Sequence, residues 1–221
     1  MSKASTQPAK TLLTPTNHAL IMIDYQPQMA FATRSIDIAA LRNNAALVAN
    51  AAKEFKVATI LTAVASKTFS GPTFSEITDA HPNAQIVERT TMNCWEDSNL
   101  INSVNQLNKP KIVLAGLWTS VCIADPALSA IEQGFEVYAL ADACGDVSEE
   151  AHSRAMERMT DVGVRPLTSI TYLLELQRDW ARTETYNQVM DVVSRYGGGY
   201  GLGVKYAKAM IHGEVGKTKA A

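Results

Sequence analysis

Residues 111–143 read KIVLAGLWTSVCIADPALSAIEQGFEVYALADA and contain the clearest fold signal in the chain. The apolar run KIVLAGL (111–117) predicts a buried strand, and the pattern over 120–133 predicts a helix that ends at Gly134. FEVYALADA (135–143) predicts the next strand. A strand, a helix and a strand in this order indicate two parallel strands joined by a crossover helix.

The same alternation extends in both directions from this segment. Apolar runs bounded by turn residues predict four further strands, at 19–23, 58–64, 85–89 and 164–168. Helical patterns predict five further helices, at 38–54, 74–80, 96–107, 149–162 and 169–182. The last of these helices is expected to carry one apolar face made of Tyr172, Leu173, Leu176 and Trp180. Pro166 favours an edge position for the strand at 164–168. Six strands interleaved with helices predict an α/β fold, with three layers (α/β/α) around a six-stranded, mainly parallel, doubly wound sheet.

The composition argues against several classes of function. The 221 residues carry 20 Lys and Arg against 22 Asp and Glu, a net charge of −2, so we expect no nucleic-acid partner. Charged residues interrupt every apolar run before it reaches the roughly 20 residues of a membrane span, so we expect no membrane partner. The N-terminus has no apolar segment typical of a secretory signal, and three cysteines do not suggest a disulfide framework. We therefore expect a folded cytoplasmic protein.

Three segments are predicted along the chain. They are a flexible N-terminal segment at 1–16, one α/β domain at 17–182, and a helical, glycine-hinged tail at 183–221. Within the tail, the stretch GGGYGLG (197–203) predicts a flexible hinge rather than a regular element, followed by a short helix at 204–212. The glycines lack the GxGxxG spacing, which disfavours the alternative of a phosphate-binding loop.

Three residues with useful chemistry lie at or just after the ends of predicted strands: Asp24, Arg89 and Cys122. The carboxyl ends of parallel strands meet at one edge of a sheet, so folding would bring these residues together. A helix N-terminus at Cys122 would favour the thiolate, and its free N–H groups could stabilise an oxyanion. Asp24, partly desolvated, could act as a base that Arg89 holds ionised. From the residues alone the plainer interpretations stay open: a small buried thiol, a loop-capping Asp and a surface Arg.

Three stretches resemble the isochorismatase-like cysteine hydrolases: ALIMIDYQ (19–26), VERTTMNCWED (87–97) and AGLWTSVCIADPALSAIEQGFEVYALADACG (115–145). The last stretch contains the GxxTxxC core that ends at Cys122, and LLELQRDWAR (173–182) is characteristic of the YcaC-like branch. The resemblance covers about residues 15–182. It implies that the α/β domain is a hydrolase domain with the sheet order 3-2-1-4-5-6 and a triad of Asp, Lys and Cys.

The resemblance implies a role for each residue of the site. Cys122 would be the nucleophile and Asp24 the general base. A cis peptide bond would join Leu117 to Trp118, and the backbone N–H groups of Trp118 and Cys122 would form the oxyanion hole. Arg89 stands where most of the family has Lys, although the YcaC-like branch commonly carries Arg. Arginine can orient and neutralise Asp24, but it cannot transfer a proton.

The same resemblance predicts that the site uses neither a metal nor a cofactor. Metal-binding members of the family place Asp and His after the second strand, where this chain has TAVASKTF (62–69). The histidines are expected to be surface or helix-face residues: His18, His81, His152 and His212. Cys94 and Cys144 are expected to have no catalytic role.

Further residues near the strand ends are candidates for substrate binding: Tyr25, Gln26, Phe31, Asn93, Trp95 and Thr119. The aromatic residues among them, like Phe69 and Trp118, could equally serve packing or a subunit interface. The sequence therefore predicts a small-molecule substrate and a homo-oligomer without identifying the substrate.

The predicted function is that of a cysteine-dependent hydrolase that cleaves a small-molecule amide or related carbonyl compound through a thioester. One alternative is vinyl ether hydrolysis of the isochorismatase type, which needs a general acid but no nucleophilic thiol. Another alternative is a catalytically idle oligomer that serves as a binding or scaffold protein. A redox role for Cys122 is disfavoured, since no resolving cysteine is adjacent in the sequence.

Overall fold

The computed structural model describes residues 3–211. Its strands are β1 (His18–Ile23), β2 (Ala58–Val64), β3 (Ile86–Arg89), β4 (Lys111–Gly116), β5 (Glu136–Leu140) and β6 (Arg165–Leu167). Its helices are α1 (Pro27–Ala32), α2 (Ile38–Glu54), α3 (Ser75–Thr78), α4 (Ser98–Leu107), α5 (Ala124–Glu132), α6 (Glu149–Asp161), α7 (Ser169–Gln177), α8 (Thr183–Tyr196) and α9 (Gly198–Met210). Short π-helical turns lie at Ser66–Ser70 and Thr119–Ile123, and 3₁₀ turns lie at Cys94–Glu96 and Ala141–Ala143.

The six strands form one parallel sheet in the order β3-β2-β1-β4-β5-β6. This confirms the predicted α/β fold and its strand order. β1 and β4 lie side by side at the centre, and every residue of both strands is buried. β6 is a three-residue edge strand, which explains how it tolerates Pro166.

Helices cover both faces of the sheet. The chain winds from β1 outwards to β3 and then from β4 outwards to β6, so right-handed crossovers place the connecting helices on opposite faces. α2 packs with α7 and α8 in one layer, whereas α5 packs with α6 in the other. The reversal of winding between β1 and β4 leaves a switch point at their carboxyl ends.

Two predicted boundaries on the β5 side of the sheet are wrong. β5 ends at Leu140 rather than at residue 143, because the chain turns there and the Asp142 carboxylate accepts hydrogen bonds from the backbone and hydroxyl of Ser169. α7 ends at Gln177 rather than at residue 182, because the Gln177 amide donates to backbone oxygens beyond the helix and Arg178 is left-handed. Trp180 therefore lies outside the helix and is 46% exposed.

The glycine-rich stretch is helical, which corrects the expectation of a hinge without regular structure. Gly198, at a φ of +54°, makes the turn between α8 and α9, and α9 then continues through the remaining glycines. A Cβ atom at Gly201 would lie 2.2 Å from the carbonyl oxygen of Val193 on α8. Glycine is therefore needed here for close helix packing. The predicted start at residue 204 is wrong, and residue 212 lies outside the described residues.

The segment before β1 is held against the domain, although we expected it to be flexible up to residue 16. Leu13 is fully buried, and its backbone N–H donates to the Glu175 carboxylate at 2.8 Å. The Tyr138 hydroxyl donates to the backbone oxygen of Thr11. Beyond residue 182, α8 buries Val189 and its neighbours against the domain. The division of the chain at residues 16 and 182 stays a prediction.

His18 is a core residue, so the expectation of a surface histidine is wrong. Its Nε2 lies 2.9 Å from the Tyr172 hydroxyl, and its Nδ1 lies 2.8 Å from the backbone oxygen of Thr14. Burial lowers the pKa of His18 to about 4. The imidazole is therefore a neutral hydrogen-bonding group that links β1 to α7.

Candidate active site

The switch point brings β1 and β4 into unusually close contact. Ile23, the last residue of β1, pairs with Gly116, the last residue of β4. Gly116 has a φ of +151°, and a Cβ atom there would lie 1.9 Å from the carbonyl oxygen of Ile23. Only glycine fits this position. Asp24 follows β1 directly, and the turn that carries Cys122 follows β4.

Asp24 and Arg89 form a fully buried ion pair. Arg89 Nη2 donates to Asp24 Oδ2 at 2.5 Å, and neither side chain is exposed. Arg89 Nε donates to Thr62 Oγ1 at 3.1 Å, and Nη1 donates to the backbone oxygens of Thr91 and Met92. The guanidinium is therefore fixed by β2 and by the loop after β3, and it presents one edge to Asp24.

The Asp24 carboxyl group is poised to exchange a proton near neutral pH. Burial raises the pKa of Asp24 to about 6, against the opposing effect of the Arg89 charge. The nearby Cys122 thiol is among the influences that lower this pKa. Asp24 Oδ1 has no hydrogen-bond partner within the described residues. The residue itself is left-handed at a φ of +54°, a conformation that Asp tolerates better than most residues.

The Cys122 thiol is protonated at rest, which corrects the expectation of a resting thiolate. Cys122 lies in the turn Thr119–Ile123, which we call the Cys122 turn, and is only 3% exposed. Burial and the nearby Asp24 charge raise the pKa of Cys122 to about 12. A hydrogen bond from the Trp118 backbone and the Arg89 charge act in the opposite direction.

The peptide bond between Leu117 and Trp118 is cis, which confirms that prediction. The indole Nε1 of Trp118 donates to the backbone oxygen of Met29 on α1 at 2.9 Å. This bond ties the start of the Cys122 turn to the helix that follows Asp24. The oxyanion role of the Trp118 and Cys122 amides stays a prediction.

Tyr25 and Gln26 are both buried and bound to backbone groups. The Tyr25 hydroxyl donates to the backbone oxygen of Ala143. The Gln26 amide donates to the backbone oxygens of Gly71 at 2.6 Å and Val64 at 3.2 Å, and its oxygen accepts from the Val64 N–H at 3.0 Å. Their polar atoms therefore hold the strand ends and loops around Asp24. Their predicted contact with substrate stays a prediction.

Asn93 and Trp95 are bound to α5 and its C-terminal end. Asn93 Nδ2 donates to Ser129 Oγ at 3.2 Å, and its Oδ1 accepts from the Trp95 N–H at 3.0 Å. The buried Trp95 indole donates to Gln133 Oε1 at 2.9 Å and packs edge-on against Phe135. Their substrate contact likewise stays a prediction.

Phe31 lies apart from the three central residues. It is 70% exposed at the end of α1 and lines a groove of about 440 Å³ with Pro72 and Phe74. None of Asp24, Arg89 and Cys122 lines this groove. The role of Phe31 in substrate binding stays a prediction.

Thr119 and His152 form a contact that the sequence reasoning missed. Thr119 belongs to the Cys122 turn, and its Oγ1 lies 2.8 Å from His152 Nδ1 on α6. His152 is half-buried. The prediction of a surface or helix-face residue therefore did not include its contact with Thr119. The one signal available in the sequence was that β5 ends beside β4, which places α6 near the Cys122 turn.

The other two cysteines both lie close to residues of the site. Burial raises the pKa of Cys94 to about 12, and the charges of Arg89 and Asp24 also act on it, which places Cys94 near the ion pair. Burial raises the pKa of Cys144 to about 12 as well, against a hydrogen bond with the backbone of Gly116 at the end of β4, and the charges of Asp142 and Asp146 also raise it. All three cysteines are free thiols.

The described residues contain no group of three or more His, Cys, Asp and Glu side chains that could hold a metal ion. No helix within residues 3–211 has the length and apolar character needed to cross a membrane.

Comparison with known proteins places this geometry in a family. Residues 18–171 match the family model of the isochorismatase domain. The Escherichia coli K12 protein named "Probable hydrolase YcaC" is 32% identical over 163 residues, which are 73% of this chain and 78% of the relative.

Solved structures agree with the sequence match. The structure of the Escherichia coli YcaC gene product, described as an octameric hydrolase of unknown specificity, superposes with a TM-score of 0.85 at 30% identity. That match covers 92% of this chain and all of the other. YcaC from Pseudomonas aeruginosa, solved with hexane-2,5-diol and covalent acrylamide, gives a TM-score of 0.85 at 26% identity. That match covers 90% of this chain and 98% of the other.

Proposed function

Because the chain belongs to the isochorismatase family of hydrolases, and within it to the YcaC-like branch, we propose that it is a cysteine-dependent hydrolase. Its substrate is a small-molecule amide or a related carbonyl compound, and the reaction passes through a thioester on Cys122. The single observation that carries this proposal is a buried thiol beside a buried carboxylate whose pKa is about 6.

The two pKa values fit general base catalysis. At neutral pH Asp24 is mostly ionised and the Cys122 thiol, with its pKa raised to about 12, is protonated. A thiol of this kind attacks only when a base takes its proton during the attack. Asp24 is the ionisable base whose charge acts on this thiol.

The first half of the reaction forms the thioester. Cys122 Sγ bonds to the carbonyl carbon while its proton passes to Asp24, and the carbonyl electron pair moves onto oxygen. The backbone N–H groups of Trp118 and Cys122 hold this oxyanion. Collapse of the intermediate breaks the C–N bond, and the amine leaves with the proton from Asp24.

The second half releases the acid. A water molecule attacks the thioester carbon and gives a proton to Asp24. The C–S bond then breaks, and the sulfur recovers the proton, which restores the resting thiol. Arg89 stays charged throughout, and it keeps Asp24 ionised without taking part in proton transfer.

Two features of relatives and of the chain support this proposal. Acrylamide reacts with nucleophiles, and the Pseudomonas aeruginosa YcaC structure contains it covalently bound. Cys122 is only 3% exposed, so a small substrate is favoured, because it reaches the sulfur with little displacement of the surrounding residues. We also propose a homo-oligomer, since the Escherichia coli YcaC structure is octameric.

The test is covalent labelling followed by turnover. Intact-mass analysis after exposure to a panel of small amides should show an acyl adduct that is lost in Cys122→Ala. Cys94→Ala is the matched control, because that thiol is also buried with its pKa raised to about 12, and it should retain the adduct.

The pH dependence of iodoacetamide labelling at Cys122 tests the role of Asp24. The rate should rise up to about tenfold per pH unit below pH 6 and level off above it, because ionised Asp24 accepts the proton. Asp24→Asn should abolish the plateau. A rate that climbs steadily to alkaline pH in the wild type would exclude Asp24 as the base, and amide turnover by Cys122→Ala would favour the thiol-independent mechanisms.

A further inference from the structure

The Cys122 turn is braced from outside the ion pair by the loop after β5. The Thr119 N–H and hydroxyl both approach the backbone oxygen of Gly145, at 2.9 and 3.1 Å. The Ser120 N–H donates to Asp146 Oδ2 at 2.6 Å. The two residues that open the turn are therefore held by two consecutive residues of another strand connection.

The hydrogen bonds at Thr119 allow His152 to act as a donor. A threonine hydroxyl has one hydrogen and two lone pairs, and the Thr119 oxygen lies 3.1 Å from the Gly145 oxygen and 2.8 Å from His152 Nδ1. The Gly145 oxygen can only accept, so when the hydroxyl hydrogen points to it, Nδ1 carries a hydrogen and donates to Thr119. In that arrangement neutral His152 is the Nδ1–H tautomer, and α6 donates a hydrogen bond into the Cys122 turn.

This contact acts on the nucleophile through a short length of chain. Thr119 stands three residues before Cys122 and directly after Trp118, so it links the sulfur to the amide proposed for the oxyanion hole. A displacement of one ångström at such a site is enough to lower the reaction rate strongly. A shift of Thr119 is therefore expected to be passed along the turn to the sulfur.

We propose that His152 is a positioning residue that fixes the Cys122 turn through Thr119. The proposal rests on the proposed function of Cys122 and Asp24, and it adds a fourth side chain to that site. His152 does not touch the reacting atoms. Its contribution is to hold the thiol where Asp24 can take the proton.

The test compares three variants by the rate of iodoacetamide labelling at Cys122 in the plateau above pH 6. His152→Ala should label about fivefold more slowly than the wild type, since it loses one hydrogen bond that orders the turn. His152→Asn should recover most of the rate, because its amide nitrogen can donate from the position of Nδ1. His81→Ala is the matched control, since His81 is also half-buried and bonds to the backbone oxygen of Ala49 at 3.1 Å, and it should label at the wild-type rate.

A double-mutant cycle with Thr119→Val isolates the contact. Once the Thr119 hydroxyl is absent, His152→Ala should slow labelling no further, so the two effects should not multiply. Independent effects, or equal labelling rates for His152→Ala and the wild type, would overturn the positioning role. A purely structural role would lower the melting temperature of His152→Ala and His152→Asn alike without separating their labelling rates, and that result would also overturn it.

The experiment separates this inference from the proposed function. If wild-type labelling does not depend on Asp24, the proposed function fails before His152 is considered. If wild-type labelling depends on Asp24 and the His152 variants behave like the wild type, only the positioning role fails.

Discussion

Replacement of Arg89 by Met should destabilise the protein by an amount that grows with pH. The substitution keeps most of the side-chain volume and removes the cation that pairs with Asp24 at 2.5 Å. It also removes donors to Thr62, Thr91 and Met92, a loss that does not depend on pH. The pH-dependent part therefore reports the charge on Asp24 alone.

The sign and size of the pH-dependent part follow from the pKa of Asp24. The folded pKa of about 6 lies above the ordinary value of 3.8, so ionisation of Asp24 already opposes folding as pH rises from 3.8 to 6. Without Arg89 the pKa of Asp24 rises further, and the variant continues to lose stability above pH 6 while the wild type does not. One pKa unit corresponds to about 1.4 kcal/mol, so the extra loss between pH 5 and pH 8 should reach up to about 3 kcal/mol. The total loss should approach the roughly 3–5 kcal/mol that follows when one partner of a buried ion pair is removed.

The assay is urea unfolding of both proteins at pH 5 and pH 8, at one protein concentration. Arg165→Met is the matched control, because Arg165 pairs with the half-exposed Glu136 at 3.0 Å and should cost less than about 1 kcal/mol at either pH. Arg89→Lys keeps the cation and should retain most of the stability at pH 8. A loss for Arg89→Met that is the same at both pH values would refute the reasoning, because it would mean that Asp24 carries no charge for Arg89 to neutralise.

Two further predictions concern the packing outside the site. Gly201→Ala should release α9 from α8, seen as faster hydrogen exchange in α9, because the added Cβ would lie 2.2 Å from a backbone oxygen. Gly203→Ala, which meets no atom within 4 Å, should instead stabilise the helix by up to about 1 kcal/mol, and equal exchange in the two variants would contradict the packing argument. The folded pKa of His18, about 4, lies below its ordinary value of 6.5, so stability should be lost as pH falls from 6.5 to 4. His18→Leu should remove about 2–3 kcal/mol of the loss in unfolding free energy between pH 7 and pH 4.5, and an unchanged loss would show that His18 is not buried in its neutral form.

The central strands were predictable from local sequence, whereas their order was not. ALIMI at 19–23 and KIVLA at 111–115 are continuous apolar runs, and the strands that contain them are buried on both faces. No pattern in these runs says that β1 and β4 are neighbours. That information came from the family resemblance carried by the GxxTxxC core.

The incorrect boundaries have tertiary causes. Glycine in α9 is unfavourable by helix propensity, but its lack of a side chain permits the contact with Val193 of α8. The apolar spacing of Tyr172 and Leu176 continues to Trp180, yet Gln177 binds the backbone beyond the helix and ends it. In α9 the contact with α8 outweighs the low helix propensity of glycine. At the end of α7 the hydrogen bonds of Gln177 outweigh the apolar spacing that would continue the helix.

The grouping of Asp24, Arg89 and Cys122 was predictable, but their protonation was not. Asp24, Arg89 and Cys122 lie at or after the carboxyl ends of different strands, so the topology brings them together. The state of the thiol depends on how deeply the sulfur is buried, and burial is a property of the whole fold. The contact between His152 and Thr119 was not predictable, because His152 lies on α6, which follows β5, whereas Thr119 follows β4.

Burial of Cys122 as a protonated thiol protects its sulfur from oxidative damage. Peroxides and similar oxidants react with thiolates and advance to irreversible sulfur acids where the thiolate is exposed. With its pKa raised to about 12 and 3% exposure, Cys122 offers these oxidants almost no target. In the proposed reaction, the sulfur loses its proton only as it attacks a bound carbonyl group.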